Sequence, residues 1–206
     1  MEKNLKQISN GNVVNIEELY ESLMQLLEQV GGIMPFTSSL VSWWQHRNFN
    51  KRVVCNEAKI KEIMLSVSIT NAEFIYTKVA PMVFEKIVKD QEDEKAELLL
   101  LGFDNCVKND LGDEDIIIYY FDLLTELRVI DLKRLFTFSK RTNESIIIPE
   151  MNSEQDMLLS FSDSKLIRLG LINERVTKPL GNDLKEYYDF IEVTSSGNRF
   201  LDFIGI

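Results

Sequence analysis

Apolar residues recur at three- and four-residue spacing along most of the chain, which is the pattern of amphipathic helices. The first such segment begins at Asn15, because Asn15 and Glu18 have the spacing of a capping box, and it ends at Gly31-Gly32. Residues 1–14 are mostly polar and predict a flexible tail. Further helices are predicted over 40–45, 51–68, 71–89, 90–107, 117–127 and 132–136.

Pro81 falls inside the helix predicted to follow Thr70-Asn71. Proline lacks an amide hydrogen and its ring crowds the preceding turn. We therefore expect a kink or a break near Val79 or Ala80.

The pattern changes after residue 140. Residues 139–152 are polar apart from Ile146-Ile147-Ile148, and we place a domain boundary in this segment. Beyond it the sequence predicts two short helices separated by Ser162, two strands joined by a loop, and a closing helix; their bounds are 154–161, 163–169, 171–176, 187–194 and 195–204. This order is typical of a winged helix. The predicted fold is therefore mostly α, with a helical bundle over 15–140 followed by a small α+β winged-helix-like domain over 141–206.

The charge of the chain limits its partners. It has 23 Lys+Arg against 33 Asp+Glu, a formal charge of −10. Such a surface repels phosphate backbones and anionic lipids unless positive charge is gathered locally. The chain has two cysteines, Cys55 and Cys106, and its start lacks an apolar signal segment. We expect a cytoplasmic protein with two free, buried thiols.

Signatures of catalysis and cofactor binding are missing from the sequence. His46 is the only histidine, no CxxC or HExxH occurs, and no glycine-rich phosphate loop is present. A Cys55–His46 pair is conceivable, but a buried structural cysteine is the more common case. The acidic runs beginning at Asp90 and Asp113 suit exposed helix starts. We expect no catalytic residue, no metal and no cofactor.

The segment 43–52 is the most unusual part of this acidic chain. It gathers aromatic and basic side chains that suit a contact surface with a protein partner: Trp43, Trp44, Arg47, Phe49 and Arg52. One alternative places a tryptophan in the core while the basic residues pair with the acidic surface. Another uses residues 33–44 to touch a membrane surface.

A winged helix also suggests DNA binding, for which the candidate residues are Lys165, Arg168, Lys178 and Lys185. Residues 151–206 contain six basic and nine acidic residues, however, so this region nets −3. Because DNA-reading domains gather a basic face, protein docking is favoured over nucleic-acid binding.

Two parts of the chain resemble known families. The runs "TNAEFIYTKVAPMVFEKIVKDQEDEKAELLLLGFDNCV" and "DEDIIIYYFDLLTELRVIDLKRLF", with "MPFTSSLVSWWQHR" upstream, resemble a group of bacterial and prophage helical proteins. The tail "KLIRLGLINERV…YYDFIEVTSSGNRFLDFI" is similar to the winged-helix end of those proteins and of Abi-alpha-like abortive-infection proteins. The resemblance carries over no catalytic residue and implies a setting of mobile elements and phage–host conflict.

These observations predict a non-enzymatic protein-interaction module, related to a phage or mobile-element regulator or defence component. The first alternative is a winged-helix DNA-binding transcriptional regulator. The second is a peripheral membrane abortive-infection effector. Self-association is left open by the sequence.

Overall fold

The computed structural model describes residues 6–9, 12–15, 25, 47–48, 51–68, 71–109, 113–143, 153–174 and 191–206. The chain divides into two compact units, Met1–Thr125 and Glu126–Ile206. It is mostly helical, as the sequence predicts, and each of its two small sheets has two strands within the described residues.

Two strands lie where the sequence predicts a flexible tail. β1 (Lys6–Ser9) pairs antiparallel with β2 (Asn12–Asn15), so that Lys6 lies opposite Asn15. The predicted flexible tail is therefore wrong for residues 6–9 and 12–14. The helix predicted to follow Asn15 lies mostly outside the described residues, and Gln25 within it is helical. The sequence carries one signal for this pairing, Asn10-Gly11, because Asn-Gly is a strongly preferred two-residue hairpin sequence.

The helices of the first unit follow the predicted periodicity. A 3₁₀ turn precedes α1, and a single helical turn leads through a π-helical stretch into α2. The bounds are Val54–Asn56 for the 3₁₀ turn, Glu57–Leu65 for α1, Ala72–Phe74 for the helical turn, Ile75–Val79 for the π-helical stretch, Ala80–Lys89 for α2, Asp93–Lys108 for α3 and Glu114–Glu126 for α4.

The helix continues through Pro81, and the turn before the proline is wider than an α-helical turn. The π-helical stretch Ile75–Val79 lies directly before Pro81, which occupies the first turn of α2. A proline ring clashes with the carbonyl four residues earlier, here that of Thr77 inside the π-helical stretch. The wider turn accommodates the ring, and the helix has no break where the sequence predicts a kink or a break near Val79 or Ala80.

Ion pairs show that α4 runs parallel to the π-helical stretch and α2. Lys78 Nζ lies 2.7 Å from Glu114 Oε1, and Lys86 Nζ lies 2.7 Å from Asp122 Oδ1. The second pair is eight residues further along in both segments. Equal steps in the same direction require the two segments to run side by side and parallel.

Aromatic and aliphatic side chains fill the core of the first unit. Phe84 of α2 meets Phe103 of α3 edge to face, with ring centroids 5.8 Å apart. The Tyr76 hydroxyl donates a hydrogen bond of 2.8 Å to the Met64 carbonyl oxygen, which links the π-helical stretch to the end of α1. Burial raises the pKa of the Tyr76 phenol far above its usual value, so this hydroxyl stays a donor.

The second unit contains three helices and one hairpin among its described residues. The elements are α5 (Val129–Ser139), α6 (Glu154–Arg168), β3 (Ile172–Glu174), β4 (Ile191–Val193) and α7 (Ser195–Phe203). β3 and β4 pair antiparallel, with Ile172 opposite Val193 and Glu174 opposite Ile191. The predicted closing helix is present, and β3 and β4 lie within the two predicted strands 171–176 and 187–194.

The division of the chain differs from the predicted boundary near residue 141. α5 packs on α6 and on β4, and the Arg141 side chain binds three groups at the end of the chain. Its guanidinium donates to Asp202 Oδ1 at 2.5 Å, to the Ile206 carbonyl oxygen at 2.9 Å and to Asn198 Oδ1 at 2.8 Å. These contacts hold residues 129–141 within the second unit.

α6 is one continuous helix where the sequence predicts two short helices separated by Ser162. Ser162 and Asp163 are both buried in the middle of α6, at 3% and 6% exposure. The short residues that resemble a helix cap instead face the core. This single helix is one reason why the order of elements does not establish a winged-helix arrangement.

Candidate protein-interaction surface

Both ends of α6 are locally defined. At its start, the Ser153 hydroxyl oxygen accepts a hydrogen bond of 3.1 Å from the Asp156 amide. At its end, Gly170 has φ +69°. The Gly170 amide donates to the Ile167 carbonyl oxygen and the Leu171 amide donates to the Leu166 carbonyl oxygen, both at 2.9 Å. This is the Schellman arrangement, in which glycine adopts the left-handed conformation at low cost.

A buried ion pair anchors α6 to α5. Arg134 Nε and Nη2 donate to the two carboxylate oxygens of Asp163, each at 2.8 Å. The Arg134 Cζ atom also lies 4.7 Å from the centre of the Phe138 ring. Burial raises the pKa of Asp163, while the Arg134 guanidinium opposes that rise. The two-pronged contact fixes the rotation of α6 about its own axis.

Large apolar side chains lie on the opposite side of α6. Met157, Leu158 and Phe161 are 53%, 50% and 67% exposed. At about 100° per residue, Phe161 and Met157 point roughly 150–170° away from the centre of the buried stripe. That stripe is formed by Leu159, Ser162, Asp163 and Leu166. We call Met157, Leu158 and Phe161 the α6 apolar face.

Charged residues of opposite sign flank the α6 apolar face. Glu154 lies seven residues before Phe161 and Arg168 seven residues after it. Seven residues are nearly two helical turns, so both charges lie within about 20° of the direction in which Phe161 points. Arg168 Nη2 is 2.6 Å from Glu126 Oε1, and its side chain is 65% exposed. The surface therefore has a carboxylate at one end, apolar side chains in the middle, and at the other end a guanidinium that is paired with Glu126.

The basic residues suggested for DNA binding take part in intramolecular contacts. Lys165 Nζ donates to the Glu126 carbonyl oxygen at 2.7 Å and to Asp131 Oδ2 at 2.8 Å. Arg168 pairs with the Glu126 carboxylate. Each positive charge thus has an acidic neighbour within the second unit. The other two candidates, Lys178 and Lys185, lie outside the described residues.

Arg52 is not on an exposed rim, contrary to the expectation for segment 43–52. Its side chain is 4% exposed, and Nη1 donates at 2.8 Å to both the Ile87 and the Asp90 carbonyl oxygens. Its Nε and Nη2 donate to Asp93 Oδ1 at 2.9 and 2.6 Å. Arg52 therefore satisfies carbonyl groups at the end of α2, which have no partner within the helix.

The remaining candidates of segment 43–52 are only partly described. Arg47 is exposed, whereas the neighbouring Asn48 is buried and donates from Nδ2 to the Val88 carbonyl oxygen at 3.1 Å. Trp43, Trp44 and Phe49 lie outside the described residues. Their role in partner binding stays a prediction.

The two cysteines differ, although both are expected to be buried. Cys106 is buried in α3, and burial raises the pKa of its thiol to about 12. Cys55 is exposed, so the expectation of two buried thiols is wrong for this residue. The suggested partner of Cys55, His46, lies outside the described residues.

The link between α2 and α3 uses acidic side chains for internal contacts. Asp90 Oδ2 lies 2.7 Å from Lys95 Nζ, and both side chains are buried. Asp90 Oδ1 also accepts a hydrogen bond of 2.8 Å from the Glu92 amide, and Lys95 donates to the Thr125 carbonyl oxygen at 3.0 Å. This buried network joins the start of α3 to the end of α4.

A cavity of about 370 Å³ lies beside this link and has a mixed lining: Met82, Glu85, Lys86, Lys89, Asp90, Asp122 and Thr125. Its lysines pair with carboxylates, Lys86 with Asp122 and Lys89 with Glu85. Because these charges neutralise each other, the cavity does not present a concentrated charge to a small ion. No cluster of His, Cys, Asp or Glu in the described parts of the chain has the arrangement of a metal site.

Within the described segments, no helix is both long enough and apolar enough to cross a membrane.

Comparison of the chain with protein-family models, with characterised proteins and with solved structures gives no match. The sequence resemblance to prophage helical proteins and abortive-infection proteins thus stays a prediction.

The α6 apolar face is absent from the residues singled out in the sequence, although a signal exists. Met157, Leu158 and Leu159 are consecutive, and consecutive residues point in different directions around a helix. They cannot all enter one core. The sequence could therefore have indicated an exposed apolar residue in this helix, although not which one.

Proposed function

We propose that this protein is a non-enzymatic protein-interaction module and that the α6 apolar face is its docking site. The observation that carries the proposal is the 67% exposure of Phe161 at the centre of that face. Contiguous exposed apolar side chains, rimmed by polar ones, are characteristic of surfaces that bind other proteins. Aromatic anchors contribute a large share of the binding energy in such contacts.

The anchoring of α6 supports docking without rearrangement. The Arg134–Asp163 pair, together with the buried Leu159 and Leu166, orients the helix before any partner arrives. A preformed surface loses little conformational entropy on binding. This argues for recognition by the helix as it stands.

Protein docking is better supported than DNA binding. Lys165 and Arg168 each contact carboxylates of the same unit, and the whole chain carries a formal charge of −10. A phosphate backbone would have to compete with these internal partners.

The resemblance to phage-related proteins supports proposing a role in phage–host conflict. Comparing phage growth on cells with and without the gene would test this role.

Photo-cross-linking tests the docking site directly. A benzophenone amino acid replaces Phe161 in one variant and Leu65, a 45% exposed apolar residue of α1, in the matched control. In cells that encode the protein, we expect a discrete protein adduct from position 161 and none of that size from position 65. Adding Met157→Asp to the position-161 variant should abolish the adduct. Equal labelling at both positions, or adducts with nucleic acid alone, would overturn the proposal.

A further inference from the structure

We propose that the occupant of the α6 apolar face is a second copy of this chain, whose α6 packs antiparallel about a two-fold axis passing beside Phe161. This inference rests on the proposed function and names its partner. A two-fold interface uses the same patch on both copies, so that patch must be complementary to itself. The exposed face of α6 meets this requirement in both its charges and its apolar centre.

The positions of the charges define the pairing. In an antiparallel helix pair centred on Phe161, a residue seven positions before the centre faces a residue seven positions after it. Glu154 of each copy then faces Arg168 of the other copy, one pair at each end. Arg168 binds Glu126 of its own chain through Nη2, and its guanidinium also carries N–H donors on Nε and Nη1 that can bind the incoming Glu154 carboxylate. The partial charges of the two helix ends are also complementary in this orientation.

A parallel pairing of the same faces would be unfavourable. It would place Glu154 against Glu154 and Arg168 against Arg168, so both ends would carry like charges. The charge order of α6 therefore selects the antiparallel arrangement.

Apolar contact supplies the centre of the interface. The Phe161 ring of one copy meets its equivalent at the axis, with Met157 and Leu158 on either side, so six exposed apolar side chains leave water together. A helix of 15 residues is roughly 22 Å long, which makes this contact small. Interfaces below about 1,200 Å² belong to transient complexes, so we expect dissociation constants in the micromolar range.

Sedimentation equilibrium of the full chain tests the inference. Samples from about 1 to 500 µM protein, at about 0.15 M salt to screen the repulsion between two acidic copies, should show a monomer–dimer equilibrium. Phe161→Asp should weaken dimerisation at least tenfold. The matched control Leu65→Asp, which places the same charge on a comparably exposed apolar site of the first unit, should leave it unchanged.

Charge exchange tests the orientation. Glu154→Arg alone and Arg168→Glu alone should each weaken self-association, because each variant sets like charges opposite one another at both ends. An equimolar mixture of the two variants should associate again, since every facing pair in the mixed dimer has opposite signs. Circular dichroism of each variant verifies that the helices are retained. A mixture that associates no better than either variant alone would refute the antiparallel pairing.

The outcome also separates this inference from the proposed function. A chain that stays monomeric at every concentration refutes the second copy as occupant. If position 161 still cross-links to a different protein in cells, the docking site survives that result. If the chain does not self-associate and position 161 gives no protein adduct in cells, the two-fold dimer and the docking site are both refuted.

Discussion

The first turn of α7 allows one perturbation to be worked through in detail. Gly197 donates its amide hydrogen to the Thr194 hydroxyl oxygen at 3.0 Å, within the cap of the helix. A Cβ atom at position 197 would lie 2.1 Å from the Leu171 carbonyl oxygen and 2.8 Å from Val193 Cγ1. The Leu171 carbonyl is itself held, because it accepts a hydrogen bond of 3.0 Å from the Thr194 amide.

Two opposing contributions decide the effect of Gly197→Ala. Helix propensity favours alanine over glycine by about 1 kcal/mol. Against this, an ordinary contact between carbon and a carbonyl oxygen is about 3.3 Å, so the backbone must move by roughly 1 Å. Overpacking of this kind costs about 1–3 kcal/mol, and weakening the hydrogen bond to the Leu171 carbonyl adds about 1 kcal/mol. We expect a net loss of about 1–3 kcal/mol of unfolding free energy.

Urea unfolding followed by circular dichroism measures this loss. The matched control is Ser196→Ala in the same turn, where the side chain is exposed and stability should change by less than about 0.5 kcal/mol. The sign of the change in unfolding free energy is the informative result, since helix propensity alone predicts that Gly197→Ala stabilises the protein. A variant as stable as the wild type, or more stable, would show that α7 does not lie against the Leu171 carbonyl group.

Three further outcomes are expected. Arg134→Met should cost about 3–5 kcal/mol of unfolding free energy because it leaves Asp163 buried without its cation, and adding Asp163→Leu should recover much of that loss in the same urea titration. Hydrogen bonds from Lys51 and Arg52 lower the pKa of the Asp93 carboxyl, so the ionised carboxylate stabilises the folded protein above the usual pKa of 3.8 and loses this effect as the pH falls below it. The unfolding free energies of Asp93→Asn and wild type should therefore converge at low pH in acid titrations. A thiol reagent at pH 8 should label Cys55 rapidly and leave Cys106 unlabelled until the protein is unfolded, as mass spectrometry of the peptides would show; rapid labelling of Cys106 would contradict its burial.

Local sequence signals and tertiary packing contributed differently to the prediction of α6. The glycine that ends this helix is readable from the sequence, because the left-handed conformation at Gly170 is a local property. The predicted interruption at Ser162 failed because a serine followed by an aspartate resembles a helix cap. Here the aspartate is paired with Arg134, a partner 29 residues away that no local pattern reveals.

Arg52 and Phe161 illustrate the same limit for the candidate site. A basic residue in an acidic chain is expected in water, yet Arg52 is buried because the end of α2 supplies carbonyl oxygens for its guanidinium. Phenylalanine side chains are usually buried, yet the rotation of α6 set by its buried stripe turns the Phe161 ring outward.

The sequence by itself determined the mostly helical composition, the approximate bounds of α3, α4 and α7, and the place, although not the form, of the irregularity before Pro81. These follow from periodicity, caps and proline geometry, which act within a few residues. Tertiary structure alone decided that residues 129–141 belong to the second unit, which basic groups are internally paired, and which apolar side chains remain exposed. Those outcomes depend on contacts between residues far apart in the chain, since burial and ion pairing are properties of assembled surfaces.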